Sequence, residues 1–240
     1  MLKNIIVLSS THIAKQVVDI LKNANSILNY EIAEHLEDLE KYSNDFLAET
    51  RLISFMSTVI VPKKILDALG YDGINFHPGP PTHPGWAPFS FALYDEVESY
   101  ALTAHYMIER VDAGKIIGID FFLLPKNTNM KELIEKSLQG ITRLLQKLER
   151  DITSEKKFVP LPIPWASKKS TKQLFSQYCE ITENITKKEL AKRVRAFGNG
   201  DGNSVLFINA KDGKYTIDGG KTFTVNSKYK TIHGVRFKKQ

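Results

Sequence analysis

Asn4-Ile5-Ile6-Val7-Leu8-Ser9-Ser10-Thr11 opens the chain with an uninterrupted apolar run followed by hydroxyl side chains. A run without polar alternation fits a strand buried on both faces, as in a parallel sheet. The serines and threonine supply a turn and candidate N-caps, since their side chains can accept from the free N–H groups of a first helical turn. Ile13, Val17, Val18, Ile20 and Leu21 then keep helical spacing. Strand, turn and helix in that order form the first half of a βαβ unit. No Gly-x-Gly-x-x-Gly follows the strand, so the ordinary dinucleotide fingerprint is absent.

The same alternation of elements continues outward. Residues 31–49 are acidic and helix-compatible, and residues 51–60 read as a core strand running into a loop. Pro62 starts a short helix that Gly70 stops, because proline suits a first helical turn and glycine a C-terminal cap. A strand over 73–77 ends in Pro78-Gly79-Pro80-Pro81-Thr82-His83-Pro84-Gly85, where the prolines forbid regular structure. A helix over 88–95, strands over 101–108 and 115–123, and a long amphipathic helix over 130–150 follow. The helical stripe is Leu133, Ile134, Leu138, Ile141, Leu144, Leu145 and Leu148. Val159-Pro160-Leu161-Pro162-Ile163-Pro164 favours an extended connector. Beyond it a helix over 186–197 and short strands over 204–208, 215–217, 222–225 and 231–237 are expected. The fold class is therefore α/β, a Rossmann-like, mostly parallel sheet with a small α+β, β-rich C-terminal subdomain. The divisions are a catalytic domain over 1–158, a proline-rich linker over 159–166 and the small subdomain over 167–240.

Composition narrows the classes. At 240 residues with 42% hydrophobic and 25% charged side chains, the chain suits one substantial core and a small appendage. No run approaches the ~18 apolar residues of a membrane span, and the N-terminus reads as a core strand rather than a signal peptide. No membrane association is expected, and the cytoplasm is the expected location. The one cysteine, Cys179, excludes an internal disulfide and a cysteine-rich metal site. With no basic neighbour it reads as a semi-buried thiol. A net charge of +6 gathers toward the end, with Lys168, Lys169, Lys172, Lys187, Lys188, Lys192, Lys228, Lys230, Lys238 and Lys239. Such a surface suits a phosphate-bearing partner or is simply a solvated face, and charge alone does not choose.

Asn75-Phe76-His77-Pro78 and Val111-Asp112-Ala113-Gly114-Lys115 carry the densest chemistry. Residues two apart on a strand point the same way, so Asn75 and His77 share a face. At the C-terminal end of a strand they would look into the crevice where open α/β sheets bind ligands. The trio of Asn75, His77 and Asp112 offers a neutral donor, an imidazole that titrates near neutrality and a carboxylate. No serine or cysteine stands beside it as a nucleophile. The set suits direct attack of a substrate amine on a carbonyl, with the oxyanion held by hydrogen bonds. From spacing alone, His77 also reads as a structural hydrogen-bonding residue and Asp112 as a turn residue.

The ordered elements Ile74-Asn75-Phe76-His77-Pro78, Trp86-Ala87-Pro88, Leu102-Thr103-Ala104-His105-Tyr106-Met107 and Val111-Asp112-Ala113-Gly114-Lys115-Ile116-Ile117 resemble the formyltransferase family that uses N10-formyltetrahydrofolate. The resemblance covers about residues 1–150 and includes Phe55-Met56-Ser57-Thr58-Val59-Ile60-Val61-Pro62, similar to the folate-side loop. It implies that Asn75 holds the formyl oxygen, that His77 shares this role and acts as acid or base, and that Asp112 couples to His77 and helps remove the amine proton. Met56, Ser57, Thr58 and Val59, with Met107, Ile108 and Val111, would line the folate. Gly79, Pro80, His83, Trp86 and His105 would lie toward the acceptor, with His105 in a supporting place. The folate is the formyl donor and no metal is implied.

The family's Ser-Leu-Leu-Pro and Arg-Gly are replaced here by Gly79-Pro80-Pro81-Thr82 and Pro84-Gly85, which weighs against a tRNA or purine-precursor acceptor. With its short β-rich tail the chain is most like the sugar N-formyltransferases. The implied acceptor is then a nucleotide-linked amino sugar of the dTDP-4-amino-4,6-dideoxyglucose kind, used for surface polysaccharide such as lipopolysaccharide O-antigen. A homodimer through the C-terminal strands is implied and nucleic acid is not an expected partner. The alternatives are a methionyl-tRNA formyltransferase, a formyltetrahydrofolate hydrolase and an inactive Rossmann-like binding module. Trp86, Tyr94 and Trp165 read equally as base-stacking or core aromatics.

Overall fold

A computed structural model describes residues 1–182, 184–198, 206–210, 213–217 and 229–240. In chain order the elements are β1 (Asn4–Leu8), α1 (Thr11–Ala24), β2 (Asn29–Ala33), α2 (Leu36–Glu40), α3 (Asn44–Leu47), β3 (Thr50–Phe55), α4 (Lys63–Ala68), β4 (Tyr71–His77), α5 (Pro88–Tyr94), β5 (Ser99–Tyr106), β6 (Ile116–Leu123) and α6 (Met130–Ile152). These are followed by α7 (Lys172–Cys179), α8 (Lys187–Phe197), β7 (Phe207–Ala210), β8 (Gly213–Ile217), β9 (Tyr229–Ile232) and β10 (Val235–Lys239). β1 is buried at every position, as its unbroken apolar run requires. β1 pairs parallel with β2 and β3, and β3 pairs parallel with β4. β5 runs antiparallel to β4, and the six-stranded order is β2-β1-β3-β4-β5-β6. The mostly parallel sheet expected from the sequence is present.

β2 departs from that expectation. Residues 29–33 lie in an edge strand, and two short helices follow instead of one long one. Asn29-Tyr30-Glu31-Ile32-Ala33 is only half-buried, so an edge position tolerates polar residues that hid it. The long helix α6 falls where its periodicity put it, with one change of face. Leu138 is 39% exposed, while Ser137 and Gly140 turn inward. A Cβ on Gly140 would stand 2.8 Å from Leu102 of β5, so small residues there let helix and sheet approach closely.

The end of α6 is held by Arg51 of β3. Its guanidinium donates from Nη1 to the carbonyls of Asp151, Ile152 and Ser154 at 3.1, 2.6 and 3.0 Å, and from Nη2 to that of Lys156 at 3.4 Å. Helices leave their last carbonyls without partners and carry partial negative charge there. A cation at that point meets both needs. Arg51 is 3% exposed, and burial pulls its proton affinity down, opposed by nearby Tyr106, Asp72, Tyr71 and Asp151.

Two compact units are distinct. The first comprises Met1–Pro84, Tyr100–Phe122 and Ser137–Ser167, and the second Gly85–Ser99, Leu123–Lys136 and Lys168–Gln240. Residues 159–166, read from the sequence as a linker between domains, lie in the first unit. They are tied there by Leu161 N–H to the Ile116 carbonyl at 2.7 Å and Ala166 N–H to the Pro81 carbonyl at 2.9 Å. Residues 85–99 and 123–136 group with the C-terminal residues rather than with the sheet. In the second unit, α5, α7 and α8 share a cluster of Phe91, Tyr94, Phe175, Tyr178 and Phe197. Its sheet has the order β7-β8-β10-β9. The single strand expected over 231–237 is a hairpin, because His233 and Gly234 adopt positive φ and reverse the chain. The strand expected over 222–225 lies outside the described residues, as do the first two residues of that over 204–208. Cys179 is buried, and desolvation pushes its thiol up to about 11, which leaves little thiolate for nucleophilic chemistry. Among the described residues no helix is long and apolar enough to cross a membrane.

Replacing Arg51 with Met should strand four carbonyls and lower the unfolding free energy by roughly 2–4 kcal/mol. A denaturant titration followed by circular dichroism measures this, and an unchanged midpoint would show that the helix end needs no cation.

Candidate active site

Asn75 and His77 are the last inward-facing pair of β4, and pairing with antiparallel β5 sets His105 opposite Asn75 and Thr103 opposite His77. His77, His105 and Asp112 are 5%, 3% and 3% exposed, whereas Asn75 is half-buried. Asp112 comes from the turn after β5 and faces two imidazoles at once. Its Oδ2 is 3.5 Å from His77 Nδ1, and its Oδ1 is 3.4 Å from His105 Nε2. The trio picked from the sequence is thus brought together, and His105 joins it as a fourth member.

Hydrogen bonding fixes part of the proton arrangement. His105 Nδ1 lies 2.8 Å from the Tyr106 carbonyl, which can only accept, so Nδ1 carries a proton. His105 Nε2 lies 3.0 Å from Asn75 Nδ2. With Nδ1 protonated, Nε2 of the neutral imidazole accepts a hydrogen bond from the Asn75 amide N–H.

The backbone around Asp112 is shaped for this. Asp112 adopts φ 44°, a left-handed conformation that aspartate tolerates better than most residues. Two residues on, a Cβ at Gly114 would sit 1.8 Å from the Tyr106 carbonyl oxygen, so only glycine lets the turn lie against β5. The loop after His77 is also pinned. Tyr100 Oη donates to the Pro78 carbonyl and Thr103 Oγ1 to the Gly79 carbonyl, each at 2.8 Å. Gly79 and Pro80, read as acceptor contacts, are buried. His83 is half-buried with Nδ1 3.0 Å from the Thr82 hydroxyl. Trp86 belongs to the second unit, where the Lys172 ammonium lies 4.6 Å from its ring centre.

The expected folate segments also meet in the first unit. β1 has β2 on one side and β3 on the other, a switch point where such sheets hold ligands beyond the strand ends. Met56 follows β3 with φ 53°, donates its N–H to the Phe76 carbonyl at 3.3 Å, and leads into half-buried Ser57 and exposed Thr58. Ser57 Oγ accepts from Val59 N–H at 3.2 Å. Met107 N–H donates to the Gly73 carbonyl at 2.8 Å, and Val59 and Met107 pack on one apolar cluster around Leu52, Val61 and Ile65. Ile108 and Val111 are each 47% exposed.

Sequence reasoning gave no place to Trp165 near the histidines. Its indole N–H donates to the Gly114 carbonyl at 2.7 Å. Its ring lies edge-on to His77 and His105, with centroids 5.8 and 5.0 Å away. Among the described residues no set of three or more His, Cys, Asp or Glu is arranged to hold a metal ion.

The formyl transferase family profile matches residues 5–139, more than half of the chain. The chain belongs to the formyl transferase family. A methionyl-tRNA formyltransferase of Streptococcus pneumoniae is 27% identical over 162 residues, 67% of this chain and 50% of that protein. The chain spans 33% to 50% of the length of such curated relatives. Among solved structures, a 4-N formyltransferase from Francisella tularensis superposes with a TM-score of 0.73 at 18% identity, covering 93% of this chain and 99% of that one. An N-formyltransferase from Helicobacter canadensis, in complex with folinic acid and dTDP-3-aminofucose, gives a TM-score of 0.64 at 16% identity, covering 100% and 99%. At these identities the formyl transferase fold is what the superpositions establish.

Gly114→Ala should force the Asp112 turn off β5 and cost about 1–3 kcal/mol. A fall in melting temperature is the expected result, and an unchanged melting temperature in the alanine variant would show that the turn need not lie where it does.

Proposed function

We propose that this protein transfers the formyl group of N10-formyltetrahydrofolate to the amine of a nucleotide-linked amino sugar. The observation that carries the formyl-transfer half is the Asp112 carboxylate shared between His77 and His105, with Asn75 at the same strand end. The amine nitrogen attacks the formyl carbon, a C–N bond forms, and charge develops on the formyl oxygen. Asn75 and His77 donate hydrogen bonds to that oxygen, the kind of contact worth most where water is excluded. Asp112, acting directly or through a water molecule, accepts the proton that the attacking amine must lose. Collapse breaks the bond to folate N10, which takes up a proton and leaves as tetrahydrofolate. Met56, Ser57, Thr58, Val59, Met107, Ile108 and Val111 hold the folate in this reading. No metal is needed, since both charge stabilisation and proton removal are supplied by side chains.

The acceptor half rests on different support. The Helicobacter canadensis structure, matched along nearly its whole length, carries dTDP-3-aminofucose, and the Francisella tularensis protein is a 4-N formyltransferase. We read the acceptor as a dTDP-linked 4-amino-4,6-dideoxyhexose such as the glucose form, the product as a precursor of surface polysaccharide including O-antigen, the location as cytoplasmic, and the assembly as a homodimer through the C-terminal strands. Similarity to methionyl-tRNA formyltransferases keeps methionyl-tRNA as the rival acceptor.

Incubation with N10-formyltetrahydrofolate and a panel of dTDP- and UDP-amino sugars, methionyl-tRNA, glycinamide ribonucleotide and no acceptor decides among them. A sugar nucleotide heavier by one formyl group in place of a proton is expected by mass spectrometry. Formylated methionyl-tRNA would overturn the acceptor assignment, and folate breakdown without any amine would identify a hydrolase. Asn75→Ala and His77→Ala should each lower kcat roughly 100-fold or more, and near-normal turnover in either would sink the roles given to them.

A further inference from the structure

The segment that reads as a proline-rich connector carries, near its end, a side chain lying against the two imidazoles that flank the buried carboxylate. Three observations converge on Trp165. Its indole N–H donates to the Gly114 carbonyl at 2.7 Å, which anchors the turn that presents Asp112 in its left-handed conformation. Its ring is edge-on to both imidazoles, at 73° to His77 and 85° to His105. The strand of backbone carrying it is tied on either side, by Leu161 N–H to Ile116 and by Ala166 N–H to Pro81 of the loop that follows His77. Trp165 is half-buried while the three groups beneath it are almost fully buried, so its ring forms part of their cover.

We propose that Trp165 is a positioning residue for formyl transfer: its N–H holds the Asp112 turn, and its ring keeps water from the His77–Asp112–His105 set. The two functions are separable in chemical terms. The hydrogen bond sets where the carboxylate stands. The ring sets how strongly the carboxylate acts on each imidazole, because Coulomb interactions weaken as water enters. The charged or titratable groups facing one another here include Asp112 from the turn after β5, His77 from β4 and His105 from β5. Trp165 touches no reacting atom in this scheme and works through those three. The proposal rests on the formyl-transfer reading for its kinetic consequence, but its electrostatic consequence can be read on the protein alone.

The test compares Trp165→Phe, which keeps an aromatic cover but loses the donor, with Trp165→Ala, which loses both. With N10-formyltetrahydrofolate and the best acceptor amine, Trp165→Phe should lower kcat about 5- to 20-fold and leave both KM values within about twofold, because the lost interaction orients groups rather than binding substrate. Trp165→Ala should lower kcat further. Histidine NMR titrations of the substrate-free protein should show the His77 transition displaced in Trp165→Ala, as hydration changes the cost of charging it. An unmoved transition, or a rise in KM with kcat intact, would overturn the proposal. If Trp165→Ala does not fold, Trp165→Phe carries the kinetic comparison, and an unchanged kcat in it would overturn the proposal. A wild-type protein that formylates no amine would sink the reaction, and the titrations would still decide whether Trp165 governs the buried groups.

Discussion

A carboxylate taken out of water must find partners, and Asp112 finds two imidazoles, one for each oxygen. Much of the first unit follows from keeping that arrangement intact. The antiparallel register of β4 and β5 sets Asn75 opposite His105. The carbonyl of Tyr106 fixes one proton of His105, and the absence of a side chain at Gly114 lets the Asp112 turn reach them. Hydroxyls of Tyr100 and Thr103 tie down the loop that leaves His77. Each of these contacts is ordinary in strength, about 1 kcal/mol net for a hydrogen bond. Together they hold a charge distribution that would otherwise rearrange.

How much of this the sequence disclosed depends on the range of the interaction concerned. β1, α1, β4 and α6 were legible because local periodicity and burial agree. β2 was not, because an edge strand has one side free and so tolerates polar residues. Asn75 and His77 were readable as a pair from the two-residue period of a strand, and Asp112 as a companion only through ordered motifs. His105 received a supporting place, but its bonds to Asn75 and Tyr106 depend on strand register, which a single sequence specifies weakly.

Trp165 was hidden for a related reason. Alternating prolines describe an extended backbone and say nothing of what the backbone runs along. Here the segment lies beside β6 and the loop after His77, so a stretch with the composition of a spacer is a wall of the site. The loop after His77 is likewise held by contacts that its composition does not reveal. Gly79 and Pro80 looked like contact residues by position, yet they are buried, with the Gly79 carbonyl engaged inward.

The guanidinium of Arg51 has a consequence for how the chain is made. Its carbonyl partners lie 100 to 105 positions further along the sequence. During synthesis β3 leaves the ribosome about a hundred residues before the carbonyls that Arg51 binds. The first unit therefore closes around Arg51 only once the end of α6 has emerged, and the loop-closure cost of that long contact is met in one late step. The active-site strands, present well before that point, wait for a helix end to make their scaffold rigid.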